Sequence, residues 1–456
     1  MTAAETARPQ RVRARLLRGS AFEVAGYGAQ QVLRFGGSYV LTQLLFPAAF
    51  GLATLVGVVT AGLSLLSDVA VQPCIIQSKR GDDPAFLNTA FTIQAIRGVI
   101  LGSLMVVLAK PASWFYREPQ LELLIYIGSV QLFLGGLHST SIFTLRRHFT
   151  LGWINVLELG QTALTVTLNI TLARIYPSAW VLIAGSTSAG LLYVAATHLL
   201  PVPYRNRFHW DKEAAAEMAR FGRWVLGSSA ATFLGGQSDR IVLGRFLGAT
   251  WLGIYGIATT LSEAISNLVF RLVNGVLYPV LSQHSRDGHD VGSIYYRLRL
   301  RLDSMSMSSL GLLAGLAQWV VGFIYDERYA PAGWILRILC VRVAISFVVA
   351  PNETVLFSMG HTRYGFLRSV TRLVTTVLFI PLGWYIGNVK GVVWGTVAAE
   401  ACTAFAVWPK SRSLGILRVR REALALCFFG SAFLAGAALS RVLPHVHLPR
   451  LHHHAG

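Results

Sequence analysis

Apolar residues run along most of the chain in segments of about twenty residues, the length that crosses roughly 30 Å of hydrocarbon as a helix. Short turns such as "FPAAF", "GAT" and "NVK", or longer basic loops, separate these segments. The candidate spans lie near 20–46, 50–77, 86–109, 121–145, 151–174, 178–200, 222–247, 251–281, 303–325, 331–358, 364–387, 391–409 and 422–443. This pattern predicts an all-α polytopic membrane protein with twelve to fourteen transmembrane helices, of which thirteen are candidates by hydropathy.

Composition supports the same class. Of the 456 residues, 54% are hydrophobic and 13% are charged, whereas a soluble protein is about 25% charged. The four cysteines stand far apart with no CxxC spacing, so neither a metal site nor a disulfide framework is indicated. No cofactor is expected.

The net charge of +19 would suggest nucleic-acid binding in a soluble protein, but here its distribution between the spans is informative. With the N-terminus in the cytoplasm, the basic loops fall on one face of the membrane. They comprise 8–18, 79–80, 146–147, 205–223, 286–301, 363 and 410–422. Cytoplasmic loops are enriched in Lys and Arg, so we expect a multi-pass membrane protein with a cytoplasmic N-terminus and no nucleic-acid partner. The segment 422–443 leaves the side of the C-terminus open.

The chain divides into two halves of six spans. We expect a basic N-terminal segment (1–19), an N-lobe (20–200), a cytoplasmic linker (201–221), a C-lobe (222–409), and a basic loop with a possible extra span and tail (410–456). "LLFPAAFGLATLV" at 44–56 and "FLGATWLGIYGIA" at 246–258 occupy matching places in the halves, as do "SIFTLRRHF" and "VLFSMGHTRY". Repeats six spans apart enter the membrane in the same direction. The halves therefore predict two pseudo-symmetric six-helix lobes around a central cavity.

Polar residues recur at helical spacing in several spans, and ionisable side chains there usually face the bundle interior or a wet cavity. Arginine pairs well with phosphate, so the deep arginines are the candidate anion-binding groups: Arg34, Arg97, Arg240, Arg271 and Arg342. The acidic residues are candidates for ion coupling or charge balance: Glu23, Asp68, Glu158, Asp239, Glu263 and Glu353. Adjacent Asp239 and Arg240 point about 100° apart on a helix, so we expect each to have a different partner.

At these segments the sequence resembles a known family. "LLFPAAFGLATLV" followed by "SDVAVQPCIIQ", "GGQSDRIVLGRFLGATWLGIYGIA", "YPVLSQ" and "APNETVLFSMGHTRYGFLRSV" are similar to segments of Wzx-type polysaccharide-repeat flippases. These belong to the multidrug/oligosaccharidyl-lipid/polysaccharide exporter superfamily. The resemblance covers most of 15–410 and is most specific at 235–258, which places Asp239 and Arg240. Arg34 and Arg271 are carried over only by the span that they occupy.

The resemblance implies a V-shaped protein of two six-helix lobes that flips lipid-linked oligosaccharides, usually on undecaprenyl pyrophosphate, by alternating access. It implies exopolysaccharide, capsule or O-antigen synthesis, with the polymerase and export machinery as further partners. Two alternatives of the same fold are a lipid-II flippase and a cation-coupled multidrug antiporter, although the deep arginines oppose a cationic drug.

Membrane enzymes and ATP-driven pumps are less compatible with the sequence. A membrane glycosyltransferase or ligase would need large loops or a DxD motif, and "GDDP" at 81–84 is not one. An ATP-driven pump would need GxxxxGK[ST], and no Gly-Lys pair occurs. The sequence therefore predicts a non-enzymatic transporter that draws on an ion gradient, the membrane potential or product consumption.

Overall fold

The computed structural model describes residues 26–67, 71–148, 150–202, 204–272, 291–359, 361, 363–415 and 417–443. Within these ranges the regular structure is helical, with no strand. The predicted all-α fold is thus confirmed. The N-terminal segment 1–19, Glu23, Asp68, the end of the eighth predicted span and the tail after 443 lie outside the described residues.

The helices follow the apolar segments closely. They are α1 (26–44), α2 (Pro47–Leu66), α3 (Val71–Gln77), α4 (Pro84–Tyr116), α5 (Gln120–Gly136), α6 (Ser141–Arg147), α7 (Leu151–Ile175), α8 (Ala179–Thr197), α9 (Lys212–Leu272), α10 (Val291–Ile324), α11 (Ala332–Ser358), α12 (Arg363–Cys402), α13 (Ala404–Ser413) and α14 (Val419–Val442). A short 3₁₀ turn, Glu327–Tyr329, precedes α11.

Nine helices among the described residues are long and apolar enough to cross a membrane, or ten if the bent pair α5 and α6 forms one span. Two of the long helices contain a break where the sequence predicts a turn. The break in α9 is at Gly248 (φ 73°), and that in α12 is at Gly387 and Asn388. Each therefore holds two predicted spans, and the total of thirteen spans stays a prediction. The segment left open at 422–443 forms the apolar helix α14.

The chain forms two compact units. Unit 1 comprises 1–45 and 55–230, and unit 2 comprises 46–54 and 231–456. In unit 1, α4 packs on α5, and α8 packs on both α5 and α7. In unit 2, α10 packs on α11 and α14, while α12 packs on α11 and α13.

The two predicted repeat turns meet inside unit 2 in a reciprocal contact. A Cβ atom on Gly51 would overlap the carbonyl of Ala249, and one on Gly253 would overlap the carbonyl of Pro47. Gly51 and Gly253 are 202 positions apart in the sequence, and so are Pro47 and Ala249. Such a close backbone approach leaves no room for a side chain at either glycine.

The C-terminal helix α14 is firmly packed against α10. Gly311 and Gly315 of α10 face Ala432, Gly436 and their neighbours on α14 so closely that Cβ atoms at the glycines would overlap α14 backbone. Glycines four positions apart permit this approach between membrane helices. The extra helix is therefore an integral part of unit 2.

Candidate functional site

A cluster of charged side chains lies within the apolar helices of unit 2. Asp239 and Arg240 extend from the first half of α9, Arg342 from α11, and Arg368 from the first half of α12. Helical spacing places Arg372 one turn after Arg368, so both point to the same side of α12. The second half of α12 supplies Glu400.

Asp239 is held in a buried ion pair. Arg342 Nη1 donates to Asp239 Oδ2 at 2.9 Å, and the Tyr255 hydroxyl donates to the same oxygen at 3.1 Å. The Asp239 and Arg342 side chains are only 8% and 6% exposed. Because removing one member would strand a buried charge, this pair fixes α9 against α11.

Arg240 has different partners, as its position on the helix predicts. Its Nη1 donates to Gln237 Oε1 at 3.1 Å, and its Nη2 lies 3.5 Å from Glu263 Oε2. Arg342 Nη2 approaches Glu263 from the other side at 3.9 Å. Glu263 is 41% exposed, so the Arg240–Glu263 pair forms the accessible edge of the cluster.

The third part of the cluster joins α11 to both halves of α12. Arg368 donates to Glu353 Oε2 at 2.6 Å, to Glu400 Oε1 at 2.9 Å and to Ser346 Oγ at 3.1 Å. Arg372 Nε lies 3.4 Å from the other Glu400 oxygen. Glu400 is 2% exposed. It therefore serves as a buried bridge between two guanidinium groups.

The cluster contains four arginines and four carboxylates, so its formal charges balance, but these groups differ in accessibility. The eight residues are Asp239, Arg240, Glu263, Arg342, Glu353, Arg368, Arg372 and Glu400. Arg342 and Arg368 are 6% and 13% exposed and make short ion pairs, whereas Arg240 and Arg372 each remain 26% exposed with pairs of 3.5 and 3.4 Å. A guanidinium group that is solvent-exposed and has a long ion-pair distance can exchange its carboxylate partner for phosphate more readily than a buried guanidinium group can. Arg240 and Arg372 are therefore the cluster's candidate anion-binding groups.

The structure places the other predicted residues elsewhere. Arg34 is exposed on α1. Arg97 of α4 donates to the Ser64 carbonyl at 2.6 Å and to Ser67 Oγ at 3.2 Å. Glu158 of α7 accepts from Arg146 at 3.0 Å and from Gln30 at 3.4 Å. For Arg271 only the helical backbone is described.

Sequence reasoning missed Glu400, Tyr255 and Arg372 as members of the cluster. Glu400 stands alone in the apolar run "GTVAAEACTAF", and a lone carboxylate in a span is itself a signal of a functional site. Arg368 lies near the start of α12 and is absent from the predicted set as well. It has two carboxylate partners.

A second buried cluster, which we call the α14 clasp, comprises Arg299, Asp303, Asn352 and Glu422. Arg299 forms a bidentate pair with Glu422, with Nη1 donating to Oε1 at 2.6 Å, and its Nε lies 2.9 Å from Asp303 Oδ2. Asn352 Nδ2 donates to Glu422 at 3.2 Å. The Arg299 side chain is 2% exposed. The clasp thus joins α10, α11 and α14.

The described residues contain no group of three or more His, Cys, Asp or Glu side chains arranged to hold a metal ion. All four cysteines are free, and two of them, Cys74 and Cys340, are buried.

Comparisons with known proteins give a consistent result. The sequence model of a family described as "Polysaccharide biosynthesis protein" matches residues 40–333. The chain is 24% identical to the teichuronic acid biosynthesis protein TuaB of Bacillus subtilis over 68% of its own length and 64% of TuaB. It is 22% identical to the lipopolysaccharide biosynthesis protein WzxC of Escherichia coli, over 79% of the chain and 73% of WzxC. The chain thus spans slightly less than two thirds of TuaB.

Solved structures show the same fold at low identity. The lipid II flippase MurJ in an inward closed conformation matches with a TM-score of 0.68 at 11% identity, covering 92% of each chain. An inward-facing multidrug resistance MATE family transporter of the MOP superfamily matches with a TM-score of 0.63 at 15% identity, covering 87% of this chain and 95% of the transporter. The chain therefore shares the fold of these two transporters.

Proposed function

The chain belongs to the polysaccharide biosynthesis protein family, and from this premise we propose that it flips lipid-linked oligosaccharide repeat units across the bacterial inner membrane. The carrier we propose is a polyprenyl pyrophosphate, and the product is an exopolysaccharide, capsule or O-antigen. Alternating access, a cytoplasmic N-terminus and contact with the polymerase and export machinery are parts of the same proposal. It is a transporter, not an enzyme.

The observation that carries the proposal is the accessibility of two arginines in the charged cluster. Arg240 and Arg372 are half-buried guanidinium groups within apolar helices, and guanidinium matches the geometry of phosphate oxygens. A polyprenyl pyrophosphate presents those oxygens next to an apolar chain. A drug antiporter of this fold would use carboxylates that a cation could reach, but here three of the four carboxylates are largely buried against arginines.

Coupling to an ion gradient can use the same cluster. Glu263 is the most exposed carboxylate of the cluster and lies within 3.9 Å of two arginines. We propose that it carries a proton inward in exchange for the outward-moving substrate, as ionisable residues in the spans of pumps and transporters do. Proteoliposome transport by Glu263→Gln tests this step. Loss of dependence on an imposed pH gradient is expected, whereas an unchanged dependence contradicts it.

The first test is deletion of the gene in its native bacterium. We expect loss of secreted polymer together with accumulation of completed lipid-linked units on the cytoplasmic side. Unchanged polymer with altered drug sensitivity would favour the antiporter. Accumulation of lipid II with arrested cell-wall synthesis would favour the lipid-II alternative.

The second test concerns the cluster itself. Arg240→Ala and Arg372→Ala are expected to lower polymer export about tenfold or more, because each removes a bidentate phosphate donor worth roughly 1.5–3 kcal/mol. Membrane insertion should stay near the wild-type level, and so should the melting temperature of Arg240→Ala, whose partner Glu263 is 41% exposed. Arg441→Ala, an exposed residue at the end of α14, is the matched control. Normal export in both cluster variants would refute the site.

A further inference from the structure

We infer that unit 2 contains a binding site for an anionic phospholipid, separate from the charged cluster. The site is a cavity of about 790 Å³ between α11, α12, α13 and α14. Its walls are mostly apolar and include Val348, Ala404, Phe405 and Leu426, and its polar members are Trp408 and Arg412. Ligand pockets in proteins typically measure about 300–1,000 Å³, so the cavity has the capacity for a lipid chain.

The dimensions of the cavity match one leaflet. The lining extends from Ala401 to Arg412, which is eleven residue-to-residue steps and about 16 Å at ~1.5 Å per helical step. Half of the roughly 30 Å hydrocarbon core is about 15 Å. An acyl chain lying along this wall would therefore extend from the headgroup level, at Arg412, to the bilayer centre.

The polar groups are arranged like the headgroup and ester region of a phospholipid. Trp408 and Arg412 are four residues apart on α13, so they lie on one face of the helix a single turn from each other. The Trp408 Nε1–H is buried and has no acceptor among the described residues. A phosphate at Arg412 would bring the acyl ester carbonyls to the level of this donor. A polyprenyl phosphate has no carbonyl group to offer there.

The surroundings favour a net negative headgroup. Lys410, Arg412, Arg418, Arg420 and Arg421 lie in the stretch 410–422, which supplies the cavity-lining residues Arg412, Leu417 and Val419. The one acidic residue in the stretch, Glu422, is already bound to Arg299 in the α14 clasp. Basic pockets between membrane helices bind anionic headgroups, so phosphatidylglycerol is a better match than zwitterionic phosphatidylcholine.

Native mass spectrometry of the detergent-purified full chain tests this inference. The protein is titrated with phosphatidylglycerol, with phosphatidylcholine of the same acyl chains, and with undecaprenyl phosphate. We expect one tight phosphatidylglycerol adduct on the wild type. Arg412→Gln should weaken it about fivefold, the equivalent of one basic residue near a headgroup. Trp408→Phe should weaken it, because phenylalanine keeps an aromatic ring but lacks the N–H donor. Ala404→Trp should abolish it, because the larger side chain occupies the cavity.

Matched controls on α14 separate specific from general effects. Ala435 and Arg441 are exposed outside the cavity, so Ala435→Trp and Arg441→Gln should bind phosphatidylglycerol as the wild type does. Equal binding of both phospholipids with no effect of Arg412→Gln would overturn the inference. Displacement of phosphatidylglycerol by undecaprenyl phosphate, with the same sensitivity to all three cavity variants, would also overturn it by assigning the cavity to the transported lipid. If Ala404→Trp alters the melting temperature, Arg412→Gln and Trp408→Phe decide the result.

Discussion

In unit 1 the ion pairs of the described residues lie mostly in the connections between helices, whereas in unit 2 most lie along the apolar helices themselves. Arg80 pairs with Asp83 at 3.0 Å and with Asp211 at 2.6 Å, and Arg147 pairs with Asp82 at 3.1 Å. All of these residues are in loops or at helix ends. The cluster of Asp239, Arg342 and Glu400 and the α14 clasp instead lie among apolar side chains.

The difference shows that the two units place their charged residues in different environments. Pairs at helix ends keep contact with water and contribute little to stability, typically 0–1 kcal/mol. Pairs within apolar helices carry a desolvation penalty that only good geometry offsets. Unit 2 retains such pairs in two places, so this half bears the greater energetic cost of polar groups. We therefore expect substitutions of its charges to have the largest effects.

The largest effect is expected for Arg299→Ala in the α14 clasp. The change leaves Asp303 and Glu422 as buried carboxylates without a cation among the described residues, which should lower the unfolding free energy by about 3–5 kcal/mol. Denaturation in detergent, followed by circular dichroism, measures this loss. Arg441→Ala on α14 is the control. A midpoint equal to that of the control would show that the clasp does not stabilise the protein.

A smaller effect is expected for Glu400→Gln. The amide keeps the shape of the carboxylate but loses its charge, while Arg368 retains Glu353 at 2.6 Å. We expect a loss of about 1.5–3 kcal/mol, the range for a hydrogen bond to a charged group. The matched variant Glu263→Gln, whose carboxylate is 41% exposed, should lose less than about 1 kcal/mol. Equal losses in the same denaturation assay would contradict the distinction between the buried and accessible parts of the cluster.

The smallest effect is expected in unit 1, for Asp211→Asn. Hydrogen bonds from Arg80 hold the pKa of Asp211 below its usual value, so the pair is complete at neutral pH. Its stabilising contribution is present above about pH 3.9, the pKa of an unpaired Asp. It is lost as the pH falls through the lower folded value. Asp211→Asn mimics that acid state, and trypsin should then cleave the linker at Lys212 faster at neutral pH.

Glu213→Gln is the control for this linker variant, because Glu213 lies 3.5 Å from the same Arg80 but is 90% exposed. It should be cleaved at the wild-type rate. If both variants are cleaved alike, the linker is not anchored through Asp211.

Much of the fold follows from the sequence because a bilayer requires helices of nearly fixed length. The apolar segments predict the helices, and the turn residues at 248 and 387–388 predict the breaks in α9 and α12. Helical spacing also predicts that Asp239 and Arg240 point in different directions. None of this depends on which helices are neighbours.

The partners of the charged residues could not be predicted in the same way. Arg342 could have met any carboxylate in the spans. The sequence analysis places Arg299 in the basic loop 286–301, whereas the structure places it within α10. Packing brings Arg299 to Glu422 across 123 positions. Contacts between residues so far apart in sequence depend on the helix arrangement, which the periodicity of one helix does not contain.

The sequence by itself determined the membrane class, the helical segments, the repeat and the family, because each depends on local hydropathy or on motifs within a short stretch. Only the tertiary structure decided which arginines are consumed in buried pairs and which remain accessible. The physical reason is that a guanidinium's availability for an anion depends on the carboxylates and apolar atoms that surround it, and distant helices supply both.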